Sequence, residues 1–141
     1  MQNQHQEDNM KGFRKILVAV FACIFAAGTL HAVPLYQLSI VAEDGTFLGN
    51  FGNEYSSNSV YNQYGNYGSP YGSKSIMNKY SNYGSEYATY SPFNAYSSKG
   101  PWIVDKYGTK YGRLSVNRYA SGVTEESYKL ALQLKALRDS Y

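Results

Sequence analysis

Beyond residue 32 the sequence contains neither cysteine nor histidine, because Cys23, His5 and His31 all precede that point. Without cysteine this segment forms no disulfide bonds, whatever its compartment. Without either residue type it cannot build the usual Ser-His and Cys-His catalytic groups or a zinc site with nitrogen and sulfur ligands. These absences exclude most classes of small hydrolase and of small metalloprotein.

Nucleotide and nucleic-acid signals are also missing from the sequence. No Gly-Lys-Ser/Thr phosphate loop occurs, and no Asp-x-Asp cluster of the kind that binds calcium. Residues 33–141 hold 10 Lys and Arg against 8 Asp and Glu, a net charge of +2. That charge is too small and too dispersed for nucleic-acid binding. The sequence predicts no cofactor, no metal ion and no nucleic-acid partner.

Carboxylates are the one remaining route to catalysis. A glycosidase needs two of them across a cleft, and four acidic residues could approach one another: Glu43, Asp44, Glu54 and Asp105. The acids are few and dispersed along the chain, so a carboxylate-based glycosidase is kept only as a remote alternative. The prediction is that the protein is not an enzyme.

An uncharged apolar run, residues 16–30, lies near the start of the chain. Three basic residues precede it: Lys11, Arg14 and Lys15. It is followed by Leu30-His31-Ala32, which ends in the small residue typical of a signal-peptidase site. The run is too short to span ~30 Å of hydrocarbon stably. The order of these segments predicts a secretory signal peptide.

The predicted division of the chain is therefore a signal peptide over residues 1–32 and an exported domain over residues 33–141. The polar stretch before Met10 is unusual for a signal peptide, and Met10 is a candidate start. Lipidation at Cys23 and a retained anchor stay open as alternatives. The expected location is periplasmic, extracellular or on the cell surface, with no membrane contact after cleavage.

Residues 49–96 repeat with a period of sixteen in three copies, 49–64, 65–80 and 81–96. The matching columns contain serine, asparagine, tyrosine and glycine: Ser59, Ser75 and Ser91; Asn62, Asn78 and Asn94; Tyr55, Tyr71 and Tyr87; Tyr64, Tyr80 and Tyr96; Gly52, Gly68, Gly84 and Gly100. Each serine precedes two apolar residues and an asparagine, which favours a single helical turn. A disordered low-complexity tract is the alternative.

Two similar segments flank the repeats, since residues 40–49 align with residues 103–112. Asp44-Gly45 lies between alternating apolar residues, a strong hairpin signal, and Gly108 holds the matching place in the second segment. We expect hairpins over residues 38–49 and 101–117, side by side in one sheet. The predicted fold is a small β-rich single domain, with two similar hairpins framing three sixteen-residue repeats.

The end of the chain predicts an amphipathic helix over residues 124–139. Thr124 is a suitable N-cap, and Glu125 and Glu126 lie at the favourable end of the helix dipole. A stripe at helical spacing completes the pattern: Leu130, Leu134, Leu137 and Tyr141. Such a helix usually covers its own core, and a helix that binds a membrane surface or a partner is the alternative.

The repeat resembles a group of small bacterial exported proteins, some of them lipoproteins, whose activity is not established. Asn62-Gln63-Tyr64-Gly65-Asn66-Tyr67-Gly68-Ser69-Pro70-Tyr71 carries the resemblance, together with Ile103-Val104-Asp105 and Gly112-Arg113-Leu114-Ser115-Val116-Asn117. The resemblance covers about residues 38–117 and does not extend to the C-terminal helix. It implies a bacterial exported protein.

The tyrosines and asparagines of the repeats admit two interpretations. The favoured one is that stacked tyrosines form the interior, because aliphatic residues are few. The other is a repeated binding face of Tyr64, Tyr67, Tyr80, Tyr83, Asn62, Asn78 and Asn94. The predicted function is a non-catalytic structural or binding module of the bacterial cell envelope. A carbohydrate-binding module and an oxidatively crosslinked surface material are the alternatives, and the partner is a glycan or another envelope component.

Overall fold

The computed structural model describes residues 33–141, and the predicted signal peptide lies outside these residues. A short 3-10 helix at Leu35–Gln37 precedes four strands and one α-helix. These elements are β1 (Ser39–Val41), β2 (Phe47–Asn50), β3 (Trp102–Val104), β4 (Lys110–Arg113) and α1 (Glu125–Asp139). In the described part of the chain, no helix has the length and apolar character that crossing a membrane requires.

The four strands form one antiparallel sheet in the order β2-β1-β3-β4. Strands β1 and β3, which lie on either side of the repeat segment in sequence, pair at the centre of the sheet. Ile40 faces Ile103 in that pairing, and both side chains are fully buried. The prediction that the two hairpins lie side by side in one sheet is confirmed.

Both hairpin turns contain a glycine with positive φ, 88° at Gly45 and 82° at Gly108. Asp44 Oδ1 accepts a hydrogen bond from the Thr46 amide at 3.0 Å. The second turn has no Asp-Gly pair. Its acceptor is Asp105 Oδ1, which accepts a hydrogen bond from the Tyr107 amide at 2.8 Å. An aspartate ahead of the glycine therefore organises each turn.

Helix α1 begins as predicted at the N-cap Thr124. The Thr124 side chain accepts from the Ser127 amide, and the Ser127 side chain accepts from the Thr124 amide, so the cap is reciprocal. Three leucines of the predicted stripe are buried in the core: Leu130, Leu134 and Leu137. The helix covers the core of its own molecule, as expected from its pattern.

Residues 53–97 form no helix and no named strand. They run through successive tight turns, here called the turn coil, in which most turns begin where the previous one ends. In each turn a backbone carbonyl accepts from the amide three or four residues further along the chain. The accepting residues are Asn53, Ser56, Ser59, Asn62, Gly65, Ser69, Gly72, Ser75, Asn78, Ser81, Ser85, Ala88 and Asn94. The single helical turn expected after each repeat serine is instead one of these turns.

The core lies between the sheet, helix α1 and one face of the turn coil. The coil contributes one apolar pair from each sequence copy: Val60 with Tyr61, Ile76 with Met77, and Phe93 beside Pro92. Most of the remaining core is aliphatic, from the hairpins and the helix. The expectation that stacked tyrosines form the interior is therefore wrong for most of them, because the leucines and isoleucines outside the repeats fill that space.

Candidate functional site

Eight tyrosines stand almost entirely in solvent. Their exposed fractions run from 80 to 97%: Tyr55, Tyr64, Tyr71, Tyr80, Tyr87, Tyr96, Tyr107 and Tyr119. Six of the eight belong to the turn coil, and the other two lie after β3 and β4. Large aromatic side chains are normally buried, at least in part. Such a set of exposed rings on one small domain is the most unusual feature of the described surface.

Each of these tyrosines follows a short polar side chain by two residues, and that side chain accepts a hydrogen bond from the tyrosine amide at 2.8 to 3.2 Å. The acceptors are Asn53, Asn62, Ser69, Asn78, Ser85, Asn94, Asp105 and Asn117. This is the Asx or Ser turn, which closes the backbone locally. The backbone beneath every exposed ring is therefore fixed.

The same turn also directs residues inward. Fully buried serines accept in the same way from the amides of three core residues: Ser59 from Tyr61, Ser75 from Met77, and Ser91 from Phe93. The inward and outward turns share one local geometry. The position along the coil, rather than the type of turn, decides whether a side chain enters the core or the solvent.

In each of the three predicted binding asparagines, both polar atoms of the side-chain amide are already hydrogen-bonded within the domain. Their Oδ1 atoms cap the tyrosine amides, and their Nδ2 atoms donate to backbone carbonyls six residues earlier, at 2.9 to 3.1 Å. The three pairs are Asn62 with Ser56, Asn78 with Gly72, and Asn94 with Ala88. These asparagines hold the coil together and position the tyrosines.

The predicted binding tyrosines separate into two kinds. Tyr64 and Tyr80 are 95% and 94% exposed. Tyr67 and Tyr83 are half-buried against the first hairpin. The Tyr67 ring meets the Phe47 ring edge-on at 5.1 Å between centroids. These two half-buried tyrosines attach the coil to the sheet.

The Tyr83 hydroxyl makes that attachment specific. It donates to Asp44 Oδ2 at 2.8 Å and lies 3.1 Å from Thr46 Oγ1. Hydrogen bonds from Thr46, and then the one from Tyr83, hold the pKa of Asp44 below its usual value. The first hairpin turn and the coil are thus joined by a charge-assisted hydrogen bond.

Close approach of the coil to itself requires glycine at two equivalent positions. A Cβ atom at Gly68 or Gly84 would lie 2.2 or 2.1 Å from the carbonyl oxygen of Asn62 or Asn78. The neighbouring atom is backbone and cannot move aside as a flexible side chain could. The glycine column therefore sets how tightly successive parts of the coil pack.

A cleft of about 600 Å³ opens where the end of the coil meets helix α1. Its lining includes the exposed rings of Tyr87 and Tyr96, with Phe93 from the core and Leu132 from the helix. Glu86 and Lys135, whose charged atoms are 3.6 Å apart, also line it. The cleft is mostly apolar, with a few polar groups, as small-molecule sites usually are.

Sequence reasoning did not single out Tyr87 and Tyr96, although a signal was present. They occupy the same columns as Tyr71 and Tyr80 in the second copy. Leu132 was missed because it is outside the leucine stripe of α1, and it is 41% exposed. A leucine on the polar face of a helix is a usable sign of a contact surface when an aromatic neighbour is nearby.

The candidate catalytic carboxyls Glu43, Asp44 and Asp105 take part in structural contacts. The Glu43 carboxylate accepts from the buried Arg113 guanidinium and from Trp102 Nε1, each at 3.0 Å, and the hydrogen bond from Arg113 is the main cause that lowers the pKa of Glu43. Desolvation opposes the shift at Asp105, but hydrogen bonds from Tyr111 and from the turn backbone lower its pKa. With Asp44 lowered too, these three groups are ionised at neutral pH.

No protein-family model, no curated protein and no solved structure matches the chain. The resemblance to small bacterial exported proteins therefore stays a prediction. Within residues 33–141, no group of three or more acidic side chains lies close enough together to hold a metal ion. The function is inferred from the exposed tyrosines, the cleft and the contacts that fix them.

Proposed function

We propose that the exported domain is a non-catalytic carbohydrate-binding module of the bacterial cell envelope, whose exposed tyrosine rings stack on sugars. The observation that carries this proposal is the set of eight tyrosines, 80 to 97% exposed, each above a hydrogen-bonded turn. Six of them lie on the turn coil, at sequence spacings of nine and seven residues in alternation.

The exposed rings have the properties of a prepared binding surface. A tyrosine buries roughly 150–250 Å² of ring when covered and loses only two side-chain torsions on binding. The turns that hold these rings are built mainly from serine, glycine and asparagine. Tyrosine, serine, glycine and asparagine also dominate antibody binding loops, for the same physical reason.

A sugar is the partner whose chemistry fits these rings best. A pyranose offers a flat face of C–H groups that packs on an aromatic ring, and hydroxyls at its edge that pair with the phenol. The net charge of residues 33–141 is +2, from 10 basic and 8 acidic residues. Strong electrostatic attraction is therefore absent, which favours a partner bound through stacking over a highly charged one.

We also interpret residues 49–96 as three copies of one structural unit. Equivalent asparagines make equivalent hydrogen bonds sixteen residues apart in all three copies. The Ser59 and Ser75 hydroxyls donate to carbonyls seven and eight residues earlier. Repeated units with repeated rings suit a polymer with repeated residues, because several weak contacts then act together.

The cleft at the end of the coil is the deepest contact that such a ligand would make. Tyr87 and Tyr96 continue the two columns of exposed rings into this cleft. Glu86 is about half exposed and retains acceptor capacity beyond its contacts with Arg138 and Lys135. A sugar stacked on the rings could accept from Lys135 and donate to Glu86.

The test is binding of residues 33–141 to a panel of bacterial envelope glycans, followed by the double variant Tyr87→Ala/Tyr96→Ala. Each lost ring should weaken binding by about tenfold, the effect of about 1.4 kcal/mol at a contact of this kind. The matched control is Tyr36→Ala, which removes a tyrosine of the 3-10 helix that is 62% exposed and lies outside the set of eight, and it should leave the affinity unchanged. Affinity equal to that of the unaltered domain in the double variant would contradict the proposal, as would failure of every glycan to bind.

A further inference from the structure

The exposed tyrosines of the turn coil are separated from one another. None of the six coil rings contacts a second aromatic ring among residues 33–141, where the paired rings are Phe47 with Tyr67 and Phe51 with Tyr61. Their hydroxyls also make no hydrogen bond to these residues, whereas the hydroxyls of Tyr83 and Tyr111 do. Each coil phenol is accessible, and none is in contact with a second ring among residues 33–141.

Residues 33–141 also contain no cysteine. A domain outside the cell therefore has no thiol with which to join a second copy covalently. The phenol is the side chain here that forms carbon–carbon links by oxidation, and exposed phenols occur all along the coil. The geometry and the composition together favour tyrosine as the site of oxidative covalent assembly.

We infer that the exposed tyrosines are sites of oxidative coupling between copies of this chain, with hydrogen peroxide as oxidant and a haem peroxidase as catalyst. Each of two phenols loses one electron and one proton to give a phenoxyl radical. The two radicals join through their ortho carbons, and both rings regain aromaticity as the ortho protons move to the oxygens. One peroxide is reduced to two waters for each new bond.

Coupling between molecules should yield a network, since each chain carries nine exposed phenols, the eight described above and Tyr36. Tyr61 is 5% exposed, and Tyr67 and Tyr83 are half-buried against the hairpin, so two such rings cannot meet edge to edge. The expected cross-links therefore join exposed tyrosines only. This role differs from glycan binding in what it requires, because coupling needs the phenol hydroxyl and an ortho carbon, whereas stacking needs the ring face.

The experiment treats residues 33–141 with peroxidase and hydrogen peroxide and maps the linked peptides by mass spectrometry. The expected product is a ladder of covalent oligomers with dityrosine fluorescence, linked at the eight positions and at Tyr36, which is 62% exposed. A variant with all nine changed from Tyr to Phe should lose the ladder and the fluorescence. Circular dichroism checks that this variant is folded, and glycan binding should persist in it, weakened only by the lost hydroxyl contacts, because the stacking rings remain.

The matched control is Tyr67→Phe/Tyr83→Phe, which should form the ladder as well as the unaltered domain does. Extracts of the producing cells provide the second arm, where boiling in detergent should leave dityrosine-linked oligomers of this chain. Monomeric chains only in the extracts, or a ladder that survives the nine-residue change, would overturn the inference. Loss of glycan binding in the phenylalanine variant would instead count against the proposed function.

Discussion

At the scale of single residues, the short polar side chains of the turn coil carry more of the structure than the tyrosines beside them. Asn78 shows this most fully, because one side chain joins two parts of the backbone. Its Nδ2 donates to the Gly72 carbonyl and its Oδ1 accepts from the Tyr80 amide, both at 2.9 Å. An asparagine provides a donor and an acceptor on two separate atoms, whereas serine places both on one oxygen and an ionised aspartate only accepts.

Replacing Asn78 by alanine should lower the free energy of unfolding by about 1–3 kcal/mol, because two backbone groups lose their partner. Urea denaturation of residues 33–141 measures the change. The matched control is Asn82→Ala, an exposed asparagine of the same coil, which should leave the unfolding free energy within about 0.5 kcal/mol. Equal effects of the two substitutions would show that the Asn78 contacts do not stabilise the fold.

Tyr141 gives a residue-scale prediction in the alkaline range. Burial raises the pKa of Tyr141 to about 12, and its hydroxyl has no hydrogen-bond partner within the described residues. The unfolded chain ionises this phenol near its ordinary pKa of about 10. The stabilising contribution of the neutral phenol is therefore complete below about pH 10 and is lost as the pH rises through about 12.

The variant Tyr141→Phe should accordingly lose less stability than the unaltered domain between about pH 10 and 12. At neutral pH it should be as stable or slightly more so, since it removes a buried hydroxyl that has no partner. Chemical denaturation across this pH range measures both effects. The pKa of Tyr111 is also raised, by burial and by Asp105, so Tyr111 contributes some pH dependence of stability to both proteins. Parallel stability curves for the two proteins would contradict the assignment.

At the scale of elements, the hairpins and the helix could be predicted, whereas the turn coil could not. A hairpin turn with Asp before Gly, and a helix with Thr124 ahead of two glutamates, are fixed by residues within a few positions of each other. The coil differs because its Asx and Ser turns are local, and local turns do not specify how successive parts of the chain pack on one another. Its order comes from asparagines that reach six residues back and from glycines that allow close approach.

Arg138 shows how such longer contacts escape sequence reasoning. Arg138 lies in the last turn of α1, where a cation is favourable to the helix dipole even at the surface. The side chain is 1% exposed instead, and it donates to the Gly84 carbonyl and to Glu86, with Phe93 beneath the guanidinium at 4.7 Å. The helix is therefore joined to the coil by a buried arginine as well as by its leucines.

Replacing Arg138 by alanine should destabilise the domain by about 2–3 kcal/mol, because hydrogen bonds to a charged group are lost and a carbonyl is left buried. The control is Lys129→Ala, which removes an exposed cation from the same helix and should have little effect. Hydrogen exchange localises the change, with faster exchange of amides near Gly84 in the arginine variant. Unchanged exchange in that region would show that α1 does not support the coil.

At the scale of the whole molecule, aliphatic residues fill most of the interior and many tyrosines lie at the surface, the reverse of what composition suggests. The sequence has 16 tyrosines, and their number favoured a tyrosine interior. The interior is mainly aliphatic because the helix and the two hairpins lie over the inner face of the coil and bring their own leucines and isoleucines. That arrangement depends on contacts between distant segments, so no one segment reveals it. The sequence could therefore predict only that the repeat tyrosines lie either in the core or at the surface.

The most direct test of a tyrosine binding surface is an NMR titration of the tyrosine ring signals of residues 33–141 with a glycan that binds. If the exposed rings bind the glycan, chemical shifts change in these rings, most for Tyr87 and Tyr96, while the buried Tyr61 ring stays unchanged. Shifts confined to Tyr61, Tyr67 and Tyr83, or saturating binding without any change in an exposed ring, would contradict binding by the exposed rings.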